Sequence, residues 1–278
     1  MNHKKKIKAA VIDMNKGTTN QGLRGILDIL SRFREENGTD LSFEVFDVRS
    51  KNEIPGLGYD IYISSGGPGS PFDGENESWE NAFFALLDEI ETYNHTHTFK
   101  KYVFFICHSF QLACRKYGFG KVTKRKSNAF GIFPVSLTRQ GEKDLLFKGL
   151  PNPFYVVDSR DWQVVHTDET DSPAISPVLA IEKERPHINL ERCIMSVRFS
   201  KEFAGTQFHP EADPAGMKLY LLEEEKKIAI ITAQGEEKYT GMLQSLEDPG
   251  RIMLTQRVIL PNFLKAAIQS YKEAGDDR

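Results

Sequence analysis

In the first half of the chain, short apolar runs alternate with stretches whose apolar residues return every three or four positions. Ile7 to Ile12 is a compact apolar run that predicts a strand, followed by a loop from Asp13 to Asn20 carrying Gly17 and two threonines. Leu23, Ile26, Leu27, Leu30 and Phe33 then recur at helical spacing, and Gly38 closes the pattern. Leu41 to Val48 and Asp60 to Ile63 predict two more strands, the latter ending at Ser64-Ser65-Gly66-Gly67-Pro68-Gly69. Trp79, Phe83, Leu86, Leu87 and Ile90 mark a second amphipathic helix. Tyr102 to Ile106 is wholly apolar and predicts a central strand, and Phe110 to Tyr117 a helix stopped by Gly118. Such alternation implies βαβ units and an α/β fold: a doubly wound, mostly parallel sheet flanked by helices. In such sheets the working residues gather at the carboxyl ends of the strands. The loops Ser64–Pro71 and Cys107–Ser109 occupy that position.

The second half is less regular. Gly131 to Leu137, Phe154 to Val157, Val164–Val165, Val178 to Ile181 and Ile194 to Phe199 predict shorter peripheral strands. Gly205 to Phe208 predicts another, leading into His209-Pro210-Glu211. Pro214 to Leu246 is charged and helix-prone, and a last helix runs from about Ile259 to Tyr271 with a charged tail after it. The simplest organisation is one domain over residues 1–278, with a helical insertion at about 213–250 before the C-terminal helix.

Composition narrows the function class. With 278 residues, 40% apolar and 27% charged, the chain can bury a full core without disulfide or metal staples. A net charge of −3 gives no basic footprint for nucleic acid or an acidic membrane. The short basic run Lys121 to Lys126 reads as a solvated loop or helix end. Cys107, Cys114 and Cys193 are an odd count without framework spacing, which suits a reducing compartment. The basic N-terminus precedes only a brief apolar run interrupted by Asp13, so it reads as a strand and not a signal peptide. No apolar run approaches the roughly 18 residues a membrane span needs. A soluble, cytoplasmic protein without nucleic-acid or membrane partners is expected.

Cys107 follows five apolar strand residues and precedes a helix. A strand–turn–helix elbow exposes a nucleophile and aims it at the helix N-terminal amides, whose dipole lowers a thiol pKa. The next backbone N–H can stabilise an oxyanion. Cys114, seven residues on along the same apolar face, is expected to be buried and inert. A nucleophilic cysteine needs a base, and the base an orienter. His209 has the clearest context. Extended geometry puts residues i and i+2 on one side, so Glu211 can bond the His209 ring and hold one tautomer, with Pro210 fixing the backbone between them. Taken singly, Cys107 also reads as a structural cysteine at a strand end, and His209-Pro210-Glu211 as a surface turn.

Together, Gly66-Gly67-Pro68-Gly69, Cys107, Gln111 and Gln207-Phe208-His209-Pro210-Glu211 occur in order at domain-scale spacing. The arrangement resembles the class I glutamine amidotransferases, Cys-His-Glu domains that hydrolyse glutamine to glutamate and ammonia. ISSGGPGSP resembles that family's oxyanion loop, FFICHSFQLA its nucleophile elbow, GTQFHPEAD its His-Glu strand and DLLFKGLP a frequent connector. The likeness extends from Val11–Asp13 to PNFLKAA near the C-terminus. It implies a flavodoxin-like fold without cofactor or metal, in which Cys107 attacks a glutamine side-chain amide, or a related γ-glutamyl amide, to form a thioester. It further implies that His209 moves the proton, Glu211 orients His209, and the N–H groups of Gly67 and His108 hold the oxyanion. Gly66, Ser109 and Gln111 would line the glutamine site.

The chain departs from the family pattern in places. The elbow is usually Gly-x-Cys-x-Gly, but Phe105 and Ser109 stand at its glycine positions. Arg160 stands where relatives often carry a histidine, and could meet a substrate carboxylate or form a surface ion pair. His108, next to Cys107, is similar to the intracellular-protease and chaperone branch of the superfamily, where the adjacent histidine is the catalytic partner. A non-catalytic binding or regulatory homologue is the third class. There is no Walker A loop, and Ser65 to Ser70 has only a faint likeness to an ATP-pyrophosphatase loop, with Pro68 and Gly69 at its critical positions. Ammonia would pass to a separate synthetase subunit, or the chain would act on a γ-glutamyl small molecule alone. The charged insertion at Pro214–Leu246 is a candidate docking surface or a solvated capping element.

Overall fold

The computed structural model describes residues 6–18, 20–166, 177–187, 189–247 and 250–276. The basic start at residues 1–5 and the last two residues of the charged tail lie outside them. Strand β1 (Ile7–Asp13) is apolar and leads to helix α1 (Gln21–Asn37). The Asn20 side chain caps α1 by accepting from the Gly22 N–H, and Gly38, at φ 54°, ends it in the left-handed conformation. Then come β2 (Leu41–Asp47), the single-turn α2 (Val48–Lys51), β3 (Ile61–Ser64), α3 (Ser78–Thr96), β4 (Tyr102–Ile106) and α4 (His108–Lys116). The second half holds β5 (Lys121–Leu137), β6 (Phe154–Val165), β7 (Val178–Glu182), β8 (Ile194–Arg198) and β9 (Phe203–Thr206). Helices α5 (Pro214–Leu222), α6 (Glu224–Gln234), α7 (Glu236–Ser245) and α8 (Gly250–Asp276) complete the described chain.

The strands form one sheet in the order β2-β1-β3-β4-β9-β8-β7-β5-β6. Pairing is parallel from β2 through β9 and antiparallel from β9 through β6. Every residue of β4 is buried, as a strand covered on both faces requires. On one face, Ile26, Ile29, Leu30 and Phe33 of α1 and Ile259, Leu260, Phe263 and Leu264 of α8 pack on the sheet. On the other, Phe83, Leu86, Leu87 and Ile90 of α3 join Phe110 and Leu112 of α4. A third cluster seats Leu221, Ile230, Tyr239 and Met242 of α5–α7 on Phe130 of β5 and Val157 of β6. Helices α5–α7 thus have an apolar underside on the antiparallel wing.

Four sequence expectations change. The basic run Lys121 to Lys126 is no solvated loop: it opens β5 and pairs with the end of β6, Lys121 opposite Val165 and Lys124 opposite Trp162. The separate strands expected at Phe154 to Val157 and Val164–Val165 are one strand, because β5 supplies partners along almost its whole length. The last helix begins at Gly250, well before Ile259, and continues through Pro261. A proline inside a helix costs one backbone bond, but here buried Ile252, Ile259, Phe263 and Leu264 hold the helix on both sides of it. Finally, Arg160 is neither at the surface nor in a cleft. Its side chain is 1% exposed and bonded through Nε to both Asp158 oxygens at 2.8 and 3.0 Å. It also faces Glu182, a carboxylate shared with Arg125 and Arg185.

Candidate active site

Parallel pairing of β4 with β9 decides where the chemistry gathers, because the carboxyl ends of the two strands lie side by side. The Cys107 N–H donates to the Thr206 carbonyl at 2.8 Å, tying the end of β4 to the end of β9. Cys107 itself has φ 49° and ψ −98°, a conformation of the kind that costs about 1–3 kcal/mol and persists only where the surroundings enforce it. This elbow turns the thiol out of the sheet at the N-terminus of α4. His108 opens that helix, so its N–H has no partner within the helix.

Three residues past β9, His209 is fixed by its own N–H, which donates to the Val157 carbonyl of β6 at 2.9 Å. Its Nδ1 lies 2.8 Å from Glu211 Oε1, as the i, i+2 spacing predicts. On its other side His209 neighbours Cys107, close enough for the sulfur to act on the charge of the ring. Burial alone would push the imidazole down, yet Glu211 and Cys107 hold its pKa well above the ordinary value. Glu211 is almost fully buried, and α1 is pressed onto it. A Cβ on Gly22 would fall 2.9 Å from Glu211 Oε1, and one on Gly25 only 2.4 Å from the Glu211 carbonyl. The positive end of the α1 dipole therefore faces the carboxylate.

The glycine loop after β3 closes the third side. A Cβ on Gly66 would lie 2.8 Å from His209 Cε1 and 3.5 Å from Cys107 Cβ, so Gly66 abuts both. Gly67 is packed against the Met14 backbone, where a Cβ would come within 2.2 Å of the carbonyl oxygen. Arg49 holds the loop by donating to the Pro68 carbonyl at 2.6 Å. The structure thus gathers Gly66, Cys107, His209 and Glu211 at one point, with Gly67 and the His108 amide flanking it.

Ser109 and Gln111 differ in what they do. Ser109 is fully buried: its hydroxyl accepts from the Ile106 N–H at 2.9 Å and reaches the Ser64 carbonyl at 2.8 Å. It joins β3 to the elbow. Gln111 donates through Nε2 to the Trp162 carbonyl at 3.2 Å and to Gln207 Oε1 at 3.1 Å. Gln207 in turn approaches the Cys107 sulfur with its Nε2 at 3.8 Å. Gln207, to which the motif assigns no role, stands two residues before His209 on an extended segment and shares its side, which is the signal the sequence carries for it. The Ser159 carbonyl, 3.7 Å from the Cys107 sulfur, is a backbone contact without sequence signal.

His108 does not join the constellation through its side chain. The ring is buried, and neither nitrogen has a hydrogen-bond partner among the described residues. Burial, with Arg49 and Arg115 nearby, lowers its pKa to about 3, leaving a neutral ring that is a poor proton acceptor.

The sequence pattern of the family "glutamine amidotransferase class-I" matches residues 28–228, a span that contains the glycine loop, the elbow and His209-Pro210-Glu211. The chain belongs to the class-I glutamine amidotransferase family. No curated protein matches it in sequence. Among solved structures it is similar to a glutamine amidotransferase from Thermotoga maritima, at 16% identity over 95% of this chain and 99% of that one, with a TM-score of 0.66. A glutamine amidotransferase from Methylobacillus flagellatus aligns at 12% identity over 97% and 96%, with a TM-score of 0.64. The glutaminase domain of a Trypanosoma brucei CTPS with bound acivicin aligns at 13% over 95% and 94%, with a TM-score of 0.57. At such identities these likenesses concern the fold, a class-I amidotransferase sheet of the flavodoxin-like kind. Among the described residues no helix is long and apolar enough to cross a membrane.

Proposed function

We propose that this amidotransferase hydrolyses the side-chain amide of glutamine, or of a γ-glutamyl amide, through a thioester at Cys107. The observation that carries the reading is His209, held between the Cys107 thiol and a Glu211 oxygen 2.8 Å from Nδ1. His209 takes the thiol proton as sulfur attacks the amide carbon and returns it to the departing nitrogen. Glu211 steadies the imidazolium and fixes its tautomer. The oxyanion falls to the N–H groups of Gly67 and His108, while Gln111, set by Gln207, orients the acyl end. Ser109 acts by holding the elbow to β3. The glutaminase domain with bound acivicin in the same fold supports a glutamine-type substrate.

Residues 1–278 are read as one catalytic unit, with α5–α7 as its inserted cap. Ammonia is released to solvent or to a separate synthetase subunit. Three free, buried cysteines suit a reducing, cytoplasmic setting. The neutral, unpartnered ring of His108 weighs against the protease-like branch.

The test is ammonia or amine release from glutamine and γ-glutamyl amides by the wild type and by Cys107→Ala, alongside mass-spectrometric mapping after brief alkylation. Cys107 is expected to label first, since burial pushes the Cys114 and Cys193 thiols up. A folded wild type without turnover would remove the proposal and leave a non-catalytic homologue, and equal turnover by Cys107→Ala would remove the thioester route.

A further inference from the structure

Next to His209 lies a cavity of about 110 Å³ that release of ammonia does not require. His209 and Ser159 bound it toward Cys107, Val157 and Phe130 form its sheet wall, and Met217 and Tyr220 of α5 form its roof. Strand β6 fixes its place relative to the thiol. Val157 and Ser159 border the cavity, the Ser159 carbonyl meets the Cys107 sulfur at 3.7 Å, and the Trp162 carbonyl takes the Gln111 amide. At about 3.3 Å per strand residue, Ser159 and Trp162 stand roughly 10 Å apart. Cys107 therefore sits beside the cavity, with the Gln111 end farther along the strand.

A carbon attacked by Cys107 keeps its acyl chain and loses its nitrogen. The inference rests on the amidase reading above, in which Gln111 takes the acyl chain and His209 protonates the nitrogen. Whatever substituent that nitrogen carries must then lie beside His209, which is where the cavity is. Ammonia carries none and needs about the room of one water, roughly 30 Å³. A cavity of roughly 150 Å³ holds benzene, so one of about 110 Å³ holds a chain of four or five heavy atoms. Its walls are chiefly apolar, with the Phe130 and Tyr220 rings 5.4 Å apart and Met217 able to adapt its shape. The cation at its rim, Arg24, is already paired with Asp28 and Asp213, so no spare charge awaits a carboxylate.

We propose that this cavity receives the leaving amine of an N-substituted glutamine side-chain amide, with an uncharged aliphatic chain about four carbons long. Such γ-glutamyl alkylamides are the preferred substrates over glutamine itself. The amide C–N bond breaks as the C–S bond of the thioester forms. The Cys107 proton passes through His209 to the nitrogen, which departs as the primary amine. Water then cleaves the thioester to glutamate and restores the thiol.

The experiment measures kcat/KM of the full chain on glutamine, on γ-glutamyl-n-butylamide and on the same amide ending in a carboxylate. The n-butylamide is expected to exceed both others at least tenfold. Met217→Trp, which fills the cavity, lowers the butylamide-to-glutamine ratio at least tenfold. Tyr220→Ala, which opens it, moves the preference toward a longer amine such as n-hexylamine and serves if the Trp variant does not fold. Glutamine hydrolysed faster than the butylamide overturns the inference and leaves the Cys107 reading standing. Ratios unchanged in both variants also overturn it. No hydrolysis of any amide by the wild type overturns both.

Discussion

Phe105 and Gly205 face each other across the β4–β9 pairing, and each takes the form the other allows. A Cβ on Gly205 would meet the Phe105 carbonyl at 2.9 Å, the Phe105 Cβ at 3.0 Å and the Phe110 ring at 2.9 Å. The family elbow places glycine before its cysteine; here a phenylalanine stands there, and the space it needs comes from a glycine on the next strand. The Phe105 ring packs edge-on against Phe83, Phe199 and Phe203, with centroids 6.5, 5.8 and 6.1 Å away. The bulk goes into the core beneath the elbow, and the cleft above Cys107 stays free of it.

This pairing predicts coupling. Gly205→Ala is expected to destabilise by about 1–3 kcal/mol through overpacking, and Phe105→Ala by about 3–5 kcal/mol through the cavity it leaves. The double variant should be more stable than the sum of the two losses by about 0.5–3 kcal/mol. Urea denaturation of the four proteins measures this; additivity within about 0.5 kcal/mol would show that the two residues are independent.

Gly66 and Gly67 are adjacent, yet their alanine variants should fail differently. At Gly66 the new methyl meets His209 Cε1 at 2.8 Å, a movable side chain, so the fold survives while turnover falls about a hundredfold or more. At Gly67 it meets the Met14 carbonyl at 2.2 Å, and backbone must shift. That variant should lose about 1–3 kcal/mol of stability as well as activity. Melting temperature and kcat, measured together, separate the two; a fully active Gly66→Ala would mean that His209 does not work from its position here.

Glu211→Gln keeps the shape of the pair with His209 and removes its charge. A fall in kcat of about 10²- to 10⁴-fold with little change in KM is expected, because the carboxylate acts on the imidazolium and not on bound substrate. The pH dependence of stability should change too. A histidine pKa raised in the fold contributes stability that is complete below the ordinary value near 6.5 and is lost as pH rises through the raised value. The wild-type melting temperature should therefore decline from neutral into alkaline pH more steeply than that of Glu211→Gln. Parallel curves would show that the pair carries no such linkage.

His108 predicts the opposite sign. Its folded pKa of about 3 lies below the ordinary value near 6.5, so the unfolded chain binds a proton that the folded chain refuses. Stability is then lost as pH falls from about 6.5 toward 3. His108→Leu removes that loss and two buried, unpartnered nitrogens. It should be neutral or stabilising by about 1–3 kcal/mol at neutral pH, with a shallower decline in acid and less than tenfold loss of turnover. Loss of all turnover in a folded His108→Leu would revive the protease-like assignment.

What is local in this protein is legible along the chain. The helical spacing from Leu23 to Phe33 with its stop at Gly38, the apolar strand Tyr102 to Ile106 leading into Cys107, and the His209–Glu211 spacing are set within a few residues of chain. Hydrophobic periodicity and backbone chirality act over that range. Which of these ends meet depends on how the strands are ordered in the sheet. Cys107 and His209 are neighbours because β9 enters the sheet beside β4, although four strands lie between β4 and β9 in the chain order. The same reason hid the rest. Lys121 to Lys126 becomes strand because β6 offers it partners, and Arg160 is buried because Asp158, two residues away, and Glu182 of β7 accept its charge. Gln207 reaches the sulfur of a cysteine a hundred residues earlier. Contacts of that range are fixed by the order of strands in the sheet, which the local periodicity of the sequence does not encode.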